Sequence, residues 1–238
     1  MKPDHSYSPV TERFFDSLIA RAEQKAPAAV VRQEIAGRWP EAVCGHEQFE
    51  RRVFVSGIES FDRLFVLGGV PYGQFIEITG GSCSGKTGLM FRLISGMVRS
   101  YGKAAYIDFC NCFFGPAAEY GGLDPAHLLV VKPDSLAGGI RAAELLLKHR
   151  EVTIAVCDLV GTTRELPITL LHRLRRKTVR ARGLVIFLTD RAAEIIPASM
   201  ASLRLSVDRI DSARVAVQVV KSRLCKPGQA VEVVLEPH

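Results

Sequence analysis

The hydrophobic pattern changes period between Phe75 and Val98. Phe75, Ile76, Glu77, Ile78 and Thr79 form a nearly continuous apolar run, as expected of a strand covered on both faces. Leu89, Met90, Leu93, Ile94, Met97 and Val98 then recur three and four residues apart, which predicts a helix ending near Gly102. The same alternation continues downstream. Strands are expected at residues 104–108, 128–131, 152–158 and 184–189. Helices are expected at 135–150, with Leu136, Ile140, Ala143, Leu146 and Leu147 inward, and at 166–182, with Leu170, Leu171, Leu174 and Val179 buried. Three shorter strands, at 203–207, 214–220 and 230–235, form a meander at one edge. Strands alternating with helices imply an α/β fold: a mainly parallel twisted sheet with right-handed crossovers, flanked by helices.

Upstream, Phe14, Phe15, Leu18, Ile19 and Ala22 share one face of an amphipathic helix over residues 10–26, stopped near Pro27, and a shorter helix follows from Ala28 to Gly37. Residues 39–50 show little periodicity and read as a linker. The chain thus divides into a helical N-terminal arm and linker, 1–50, and a core domain, 51–238. The arm either packs on its own core or docks on another protein. Within the core, 53–55 reads as a strand, 56–65 contains a short helix, and G-G-V-P-Y-G at 68–73 sets a tight turn before the strand at 75–79.

With 238 residues, 47% of them hydrophobic, the chain can bury one full α/β domain and a small appendage. No apolar run is long enough to span a membrane, and residues 1–9 lack a secretory pattern, so a cytoplasmic location is expected. Six scattered cysteines (Cys44, Cys83, Cys110, Cys112, Cys157, Cys225) suit reduced, buried thiols, and no pair has zinc-ligand spacing. The net charge of +6 is compatible with a polyanionic partner.

The candidate chemistry is concentrated at Gly80, Gly81, Ser82, Cys83, Ser84, Gly85, Lys86 and Thr87. This G-x-x-x-x-G-K-T stretch joins the 75–79 strand to the 89–98 helix. A loop of backbone N–H groups at a helix N-terminus favours an anion. Lys86 would reach β/γ-phosphate oxygens, and the Thr87 hydroxyl would ligate Mg2+. Asp158, an acid closing a buried strand, would orient the metal beside Thr87 or else cap a helix. The expected ligands are ATP or ADP with Mg2+.

From about Phe54 onward the chain resembles the RecA recombinase family: S-G-I-E-S-F-D before G-G-V-P-Y-G, the phosphate loop, A-Y-I-D after its helix, G-L-D…L-L-V-V-K-P-D at 122–134 and V-V-K-S-R-L…Q-A-V-E at 219–232. The resemblance implies a RecA-like P-loop NTPase core that ends where RecA begins its C-terminal domain. It also implies three departures. Cys110 stands at the water-activating glutamate, Ala117 at the tyrosine that stacks on adenine, and Asp190 at the glutamine that senses the γ-phosphate. A thiol cannot act as that base, so nucleotide binding with weak turnover is expected. Lys221 and Arg223 align with two lysines that reach a neighbouring subunit's nucleotide, which would imply head-to-tail homo-oligomers; otherwise they are solvated edge-strand residues.

The two DNA loops of the RecA family are shortened here, to 160–166 and 191–200, which argues against homologous pairing. What remains is a basic helix in which Arg173, Arg175, Arg176, Lys177, Arg180 and Arg182 supply six cations in ten positions. It suits nucleic acid, an acidic partner, or simply a solvated face. In these features the chain is similar to the ImuA family, accessory proteins of the bacterial DNA-damage (SOS) mutasome. That likeness implies a role in translesion synthesis and mutagenesis. The implied partners are a Y-family polymerase-like protein and an error-prone polymerase, with RecA and DNA as further candidates. Two other classes stand beside it: a DNA-dependent ATPase of the RecA-paralogue kind assisting recombinational repair, and a SulA-type cell-division inhibitor, against which the intact phosphate loop argues.

Overall fold

Along each central strand successive side chains point into two different apolar clusters, and this alternation places helices on both sides of the sheet. The structure, a computed structural model, describes residues 53–149, 151–162, 165–191 and 195–235. The N-terminal arm and linker expected over 1–50, with Cys44, lie outside the described residues.

The strands are β1 (Val53–Phe54), β2 (Val70–Pro71), β3 (Gln74–Gly80), β4 (Lys103–Asp108), β5 (Leu128–Val131), β6 (Val152–Asp158), β7 (Leu184–Asp190), β8 (Leu203–Arg209), β9 (Arg214–Ser222) and β10 (Ala230–Val234). The α-helices are α1 (Glu59–Asp62), α2 (Lys86–Tyr101), α3 (Gly115–Tyr120), α4 (Leu136–Lys148) and α5 (Ile168–Ala181), with a 3-10 turn at Pro125–His127. Strands β1 and β2 form a small antiparallel ribbon. The other eight make one sheet in the order β10-β9-β8-β3-β7-β6-β4-β5. Pairings from β8 through β5 are parallel, and β8-β9-β10 is the antiparallel edge meander that the turn spacing predicts.

One face of the sheet, carrying Ile76, Ile78, Tyr106, Val156, Ile186 and Leu205, packs under α2 through Leu89, Met90, Leu93, Ile94, Met97 and Val98. The other, carrying Phe75, Ile107, Ala155, Val185 and Phe187, packs under Ile140, Ala143 and Leu147 of α4 and Leu171 and Leu174 of α5. Each of the larger aliphatic and phenylalanine side chains contributes about 1.5–3 kcal/mol through burial, so the two-sided cover is the main source of stability. The S-G-I-E-S-F-D motif has a structural use. The buried Asp62 carboxylate accepts the Ser56 N–H and hydroxyl (3.0 and 2.9 Å) and the Gly57 N–H (3.0 Å), locking the entry to α1.

Several expectations need correction. Within the expected turn at 68–73, Val70 and Pro71 pair with β1, because Val70 is needed in the core. The short α3 has too few apolar positions to show a period. In α5 the inward face is Leu171, Leu174 and Thr178, whose hydroxyl donates to the Leu174 carbonyl; Val179 lies about 100° further round from Thr178 and is 55% exposed. Of the five described cysteines, all free, only Cys157 is fully buried. Cys83 and Cys112 are exposed.

Candidate phosphate-binding site

Strand β3 lies between β7 and β8, so three carboxyl ends meet at one edge: Gly80 is level with Asp190 of β7 and Val207 of β8. Asp158 closes β6, the next strand beyond β7. Ligand crevices in open α/β sheets lie outside such ends. Here a cavity of about 750 Å³ is lined by Gly80–Gly88, Cys112, Asp158, Val160, Gly161, Asp190, Arg191 and Arg209.

The loop between β3 and α2 is shaped by its glycines. A Cβ at Gly80 would lie 2.4 Å from Ser84 Oγ and 2.7 Å from the Val207 carbonyl oxygen. Gly85 has φ +86° and would meet Val215 Cγ1 at 2.6 Å. No other residue fits either place. Cys83 also takes a positive φ, 56°, and the turn leads the chain into α2, whose first-turn amides have no intrahelical partner. Ser84 Oγ is buried without a hydrogen-bond partner. An orphaned hydroxyl beside a helix N-terminus suits an anion held in the loop.

Lys86 is buried and donates to the Gly80 and Gly81 carbonyls at 3.2 and 3.1 Å. It also pairs with Asp190 Oδ1 at 3.2 Å, and Asp190 Oδ2 accepts the Gly161 N–H at 2.8 Å. Asp158, 3% exposed, accepts the Tyr106 hydroxyl on one oxygen and the Val160 N–H, at 3.1 Å, on the other. Burial raises the Asp158 carboxyl above its ordinary range despite these donors, and burial, reinforced by the Asp158 charge, raises the Tyr106 phenol. The helix-cap alternative for Asp158 is removed, since the next helix begins only at Ile168. Among the described residues no three His, Cys, Asp or Glu side chains gather as a metal cluster. Mg2+ with one or two protein oxygens plus phosphates and waters needs no such cluster, and the donor set of Thr87 and Asp158 fits it.

The three departures sit differently. The Cys110 thiol donates to the Val160 carbonyl and approaches Thr162; burial pushes it up, so it is a poor nucleophile, and it does not line the cavity. Besides Cys83 of the loop itself, the cysteine that lines the cavity is Cys112. Ala117 is half-buried in α3 against the α2-side core. Asp190 lines the cavity as the partner of Lys86, with its side chain 37% exposed.

Lys221 and Arg223 lie at the other end of the sheet. Ser222 is level with Leu203, and Leu203 with Ile76, four residues or roughly 13 Å before Gly80. There Lys221 donates to the Ala198 carbonyl, and Arg223 to those of Ser199 (2.5 Å) and Ala201 (3.3 Å). Arg204 holds Ile196 at 3.1 Å and Arg175 holds Met200 at 2.7 Å, so four cations clamp the carbonyls of residues 196–201.

The basic helix is divided. Arg173 pairs with Glu144 of α4 at 2.7 Å, and Arg175 lies 5.5 Å over the Phe75 ring with its guanidinium lowered by burial. Arg176, Lys177, Arg180 and Arg182 are exposed. Sequence reasoning missed Arg209, which donates to the Cys83 carbonyl at 2.9 Å from the end of β8. It also missed the buried Glu77–Arg204 pair at 2.6 Å, which only the strand order brings together.

Residues 42–166 match the RecA N-terminal domain. Similar proteins include Protein RecA of Malacoplasma penetrans, 30% identical over 139 residues covering 58% of this chain and 42% of that one. Protein RecA of Bacillus cereus is 37% identical over 117 residues (48% and 34%), and that of Cytophaga hutchinsonii 34% over 109 (46% and 31%). The chain thus aligns with well under half the length of these relatives. No helix among the described residues is long and apolar enough to cross a membrane.

Proposed function

The chain belongs to the RecA N-terminal domain family, and from that premise we propose that it is a RecA-like accessory protein of DNA-damage-induced translesion synthesis, of the ImuA kind, whose nucleotide site serves structure or assembly more than turnover. The observation that carries the binding half is the phosphate loop: a glycine-shaped turn, an orphaned Ser84 hydroxyl and a buried lysine opening onto one cavity. Thr87 and Asp158 would hold Mg2+, which would neutralise phosphate charge there. Against turnover stands the lining itself. Its carboxylates among the described residues are Asp158, raised by burial, and Asp190, engaged by Lys86 and Gly161; no glutamate among the described residues faces the cavity. Removing a general base typically costs about 10²- to 10⁴-fold.

The mutasome role rests on likeness, supported by the clamped, short 196–201 segment where a RecA protein would carry a longer DNA loop. The partners are a Y-family polymerase-like protein and an error-prone polymerase. The three exposed α5 cations, with Arg182 just past the helix end, give the surface for a polyanion. Single-stranded DNA binding across 50–300 mM salt tests this. Reversing Arg176, Lys177 and Arg180 together should weaken binding and flatten its salt slope by about 2–3, whereas unchanged affinity rules out the α5 surface. Co-purification of the tagged chain with both polymerases tests the partner assignment, and recovery of neither overturns it.

The recombination-ATPase reading is favoured by one observation. Lys221 and Arg223 cannot reach their own loop, as a contact made across a subunit boundary requires. DNA-stimulated phosphate release abolished by Lys86→Ala would establish it.

A further inference from the structure

The loop lysine already has an anion. Asp190 Oδ1 lies 3.2 Å from Lys86 Nζ, at the tip that would meet β- and γ-phosphate oxygens. The carboxylate is fixed from its other side as well, by the Gly161 N–H at 2.8 Å. Its backbone is held by the β3–β7 ladder, where Asp190 is level with Gly80, and the next amide, Arg191 N–H, donates to the Gly80 carbonyl at 3.3 Å. Asp190 is therefore a built part of the site and not a surface acid that swings past it.

The other cations that line the cavity among the described residues are also engaged. Arg191 pairs with Asp208, and Arg209 is anchored on the Cys83, Asp211 and Ser212 carbonyls at 2.9, 3.2 and 3.1 Å. A β-phosphate in the loop is served by the first amides of α2 and by the Ser84 hydroxyl, whatever Lys86 does. Among the described side chains, and beyond the charge that Mg2+ would neutralise, a third phosphate has no such alternative. It must share one ammonium with a fixed carboxylate, and two anions on one donor repel.

We infer that Asp190 sets the ligand class of this site, standing in for the terminal phosphate at Lys86 and thereby selecting a nucleoside diphosphate over a triphosphate. The inference rests on the reading of the cavity as a nucleotide site and names which nucleotide occupies it. It also gives the expected weak turnover a second cause besides the missing base, since a triphosphate is disfavoured before chemistry begins.

Calorimetry on the full chain with Mg2+ separates the two claims, using ADP, the non-hydrolysable imido analogue of ATP, and the near-isosteric Asp190→Asn variant. The wild type should bind ADP at least about tenfold tighter than the imido analogue, a gap of about 1.4 kcal/mol. Asp190→Asn should tighten the imido analogue at least about tenfold and change ADP by less than about threefold. Equal or tighter binding of the triphosphate analogue by the wild type overturns the inference and leaves the nucleotide site standing. Binding of neither ligand by either protein overturns both. If the variant does not fold, the wild-type ratio alone decides.

Discussion

The Glu77 carboxylate is 1% exposed in the strand that feeds the phosphate loop, and it has two partners: Arg204 Nε at 2.6 Å and the Thr189 hydroxyl at 3.0 Å. Replacing Arg204 with Met keeps most of the side-chain volume and removes the charge. It leaves Glu77 with a single hydroxyl and strips the Ile196 carbonyl of its 3.1 Å donor. Breaking a buried pair by removing one partner costs about 3–5 kcal/mol, a large share of the roughly 5–15 kcal/mol available to a domain. With a urea m-value near 2 kcal/mol/M, that is a fall in midpoint of about 1.5–2.5 M. Equilibrium urea unfolding followed by far-UV circular dichroism reads it. The double variant Glu77→Gln/Arg204→Met should recover much of the loss, because it removes the uncompensated carboxylate as well. A midpoint change below about 0.5 M for Arg204→Met, or a double variant as costly as the two singles summed, would refute the reasoning.

Three further outcomes follow from the same structure. Gly85→Ala should destabilise by about 2–4 kcal/mol, since it forces a left-handed residue and drives a methyl into Val215; a thermal melt within 2 °C of wild type would contradict this. Asp158 has its carboxyl raised above the ordinary 3.8 by burial, so the unfolded chain loses that proton first. The stability it contributes is complete below about pH 4 and is lost as pH rises through the folded value, so the urea-midpoint difference between wild type and Asp158→Asn should move against the wild type from pH 4 to 7. Arg175→Ala should cost about 1–2 kcal/mol through the lost Met200 bond and the Phe75 contact, while Arg180→Ala stays within about 0.5; equal urea midpoints would show that Arg175 is as solvated as Arg180.

The parallel core and its loop were legible because their signals are local. The run at 75–79, the glycines at 80 and 85 and the three-four spacing from Leu89 to Val98 lie within one strand–turn–helix unit, and each strongly restricts its own backbone. The unread parts depend on strand order. Asp190 meets Lys86 across 104 residues, and Arg204 meets Glu77 across 127, only because β7 and β8 flank β3. An ungapped count places Cys110 at the family's glutamate, yet the turn after β4 carries Asn111 at φ 54° and brings Cys112 to the cavity. In α5, charge density alone could not separate Arg173 and Arg175, spent on Glu144 and the Met200 carbonyl, from the outward cations. Nor did apolar spacing anticipate that Thr178, bonding back into its own helix, would take the buried position expected of Val179.

A crystal of the full chain soaked in millimolar ADP and Mg2+ tests the central claim most directly. The account predicts a diphosphate on the amides that follow Gly80, the metal beside Thr87 and Asp158, and Lys86 drawn from the loop carbonyls toward the β-phosphate. A loop free of ligand density, with Lys86 still bonded to the Gly80 and Gly81 carbonyls, would contradict it.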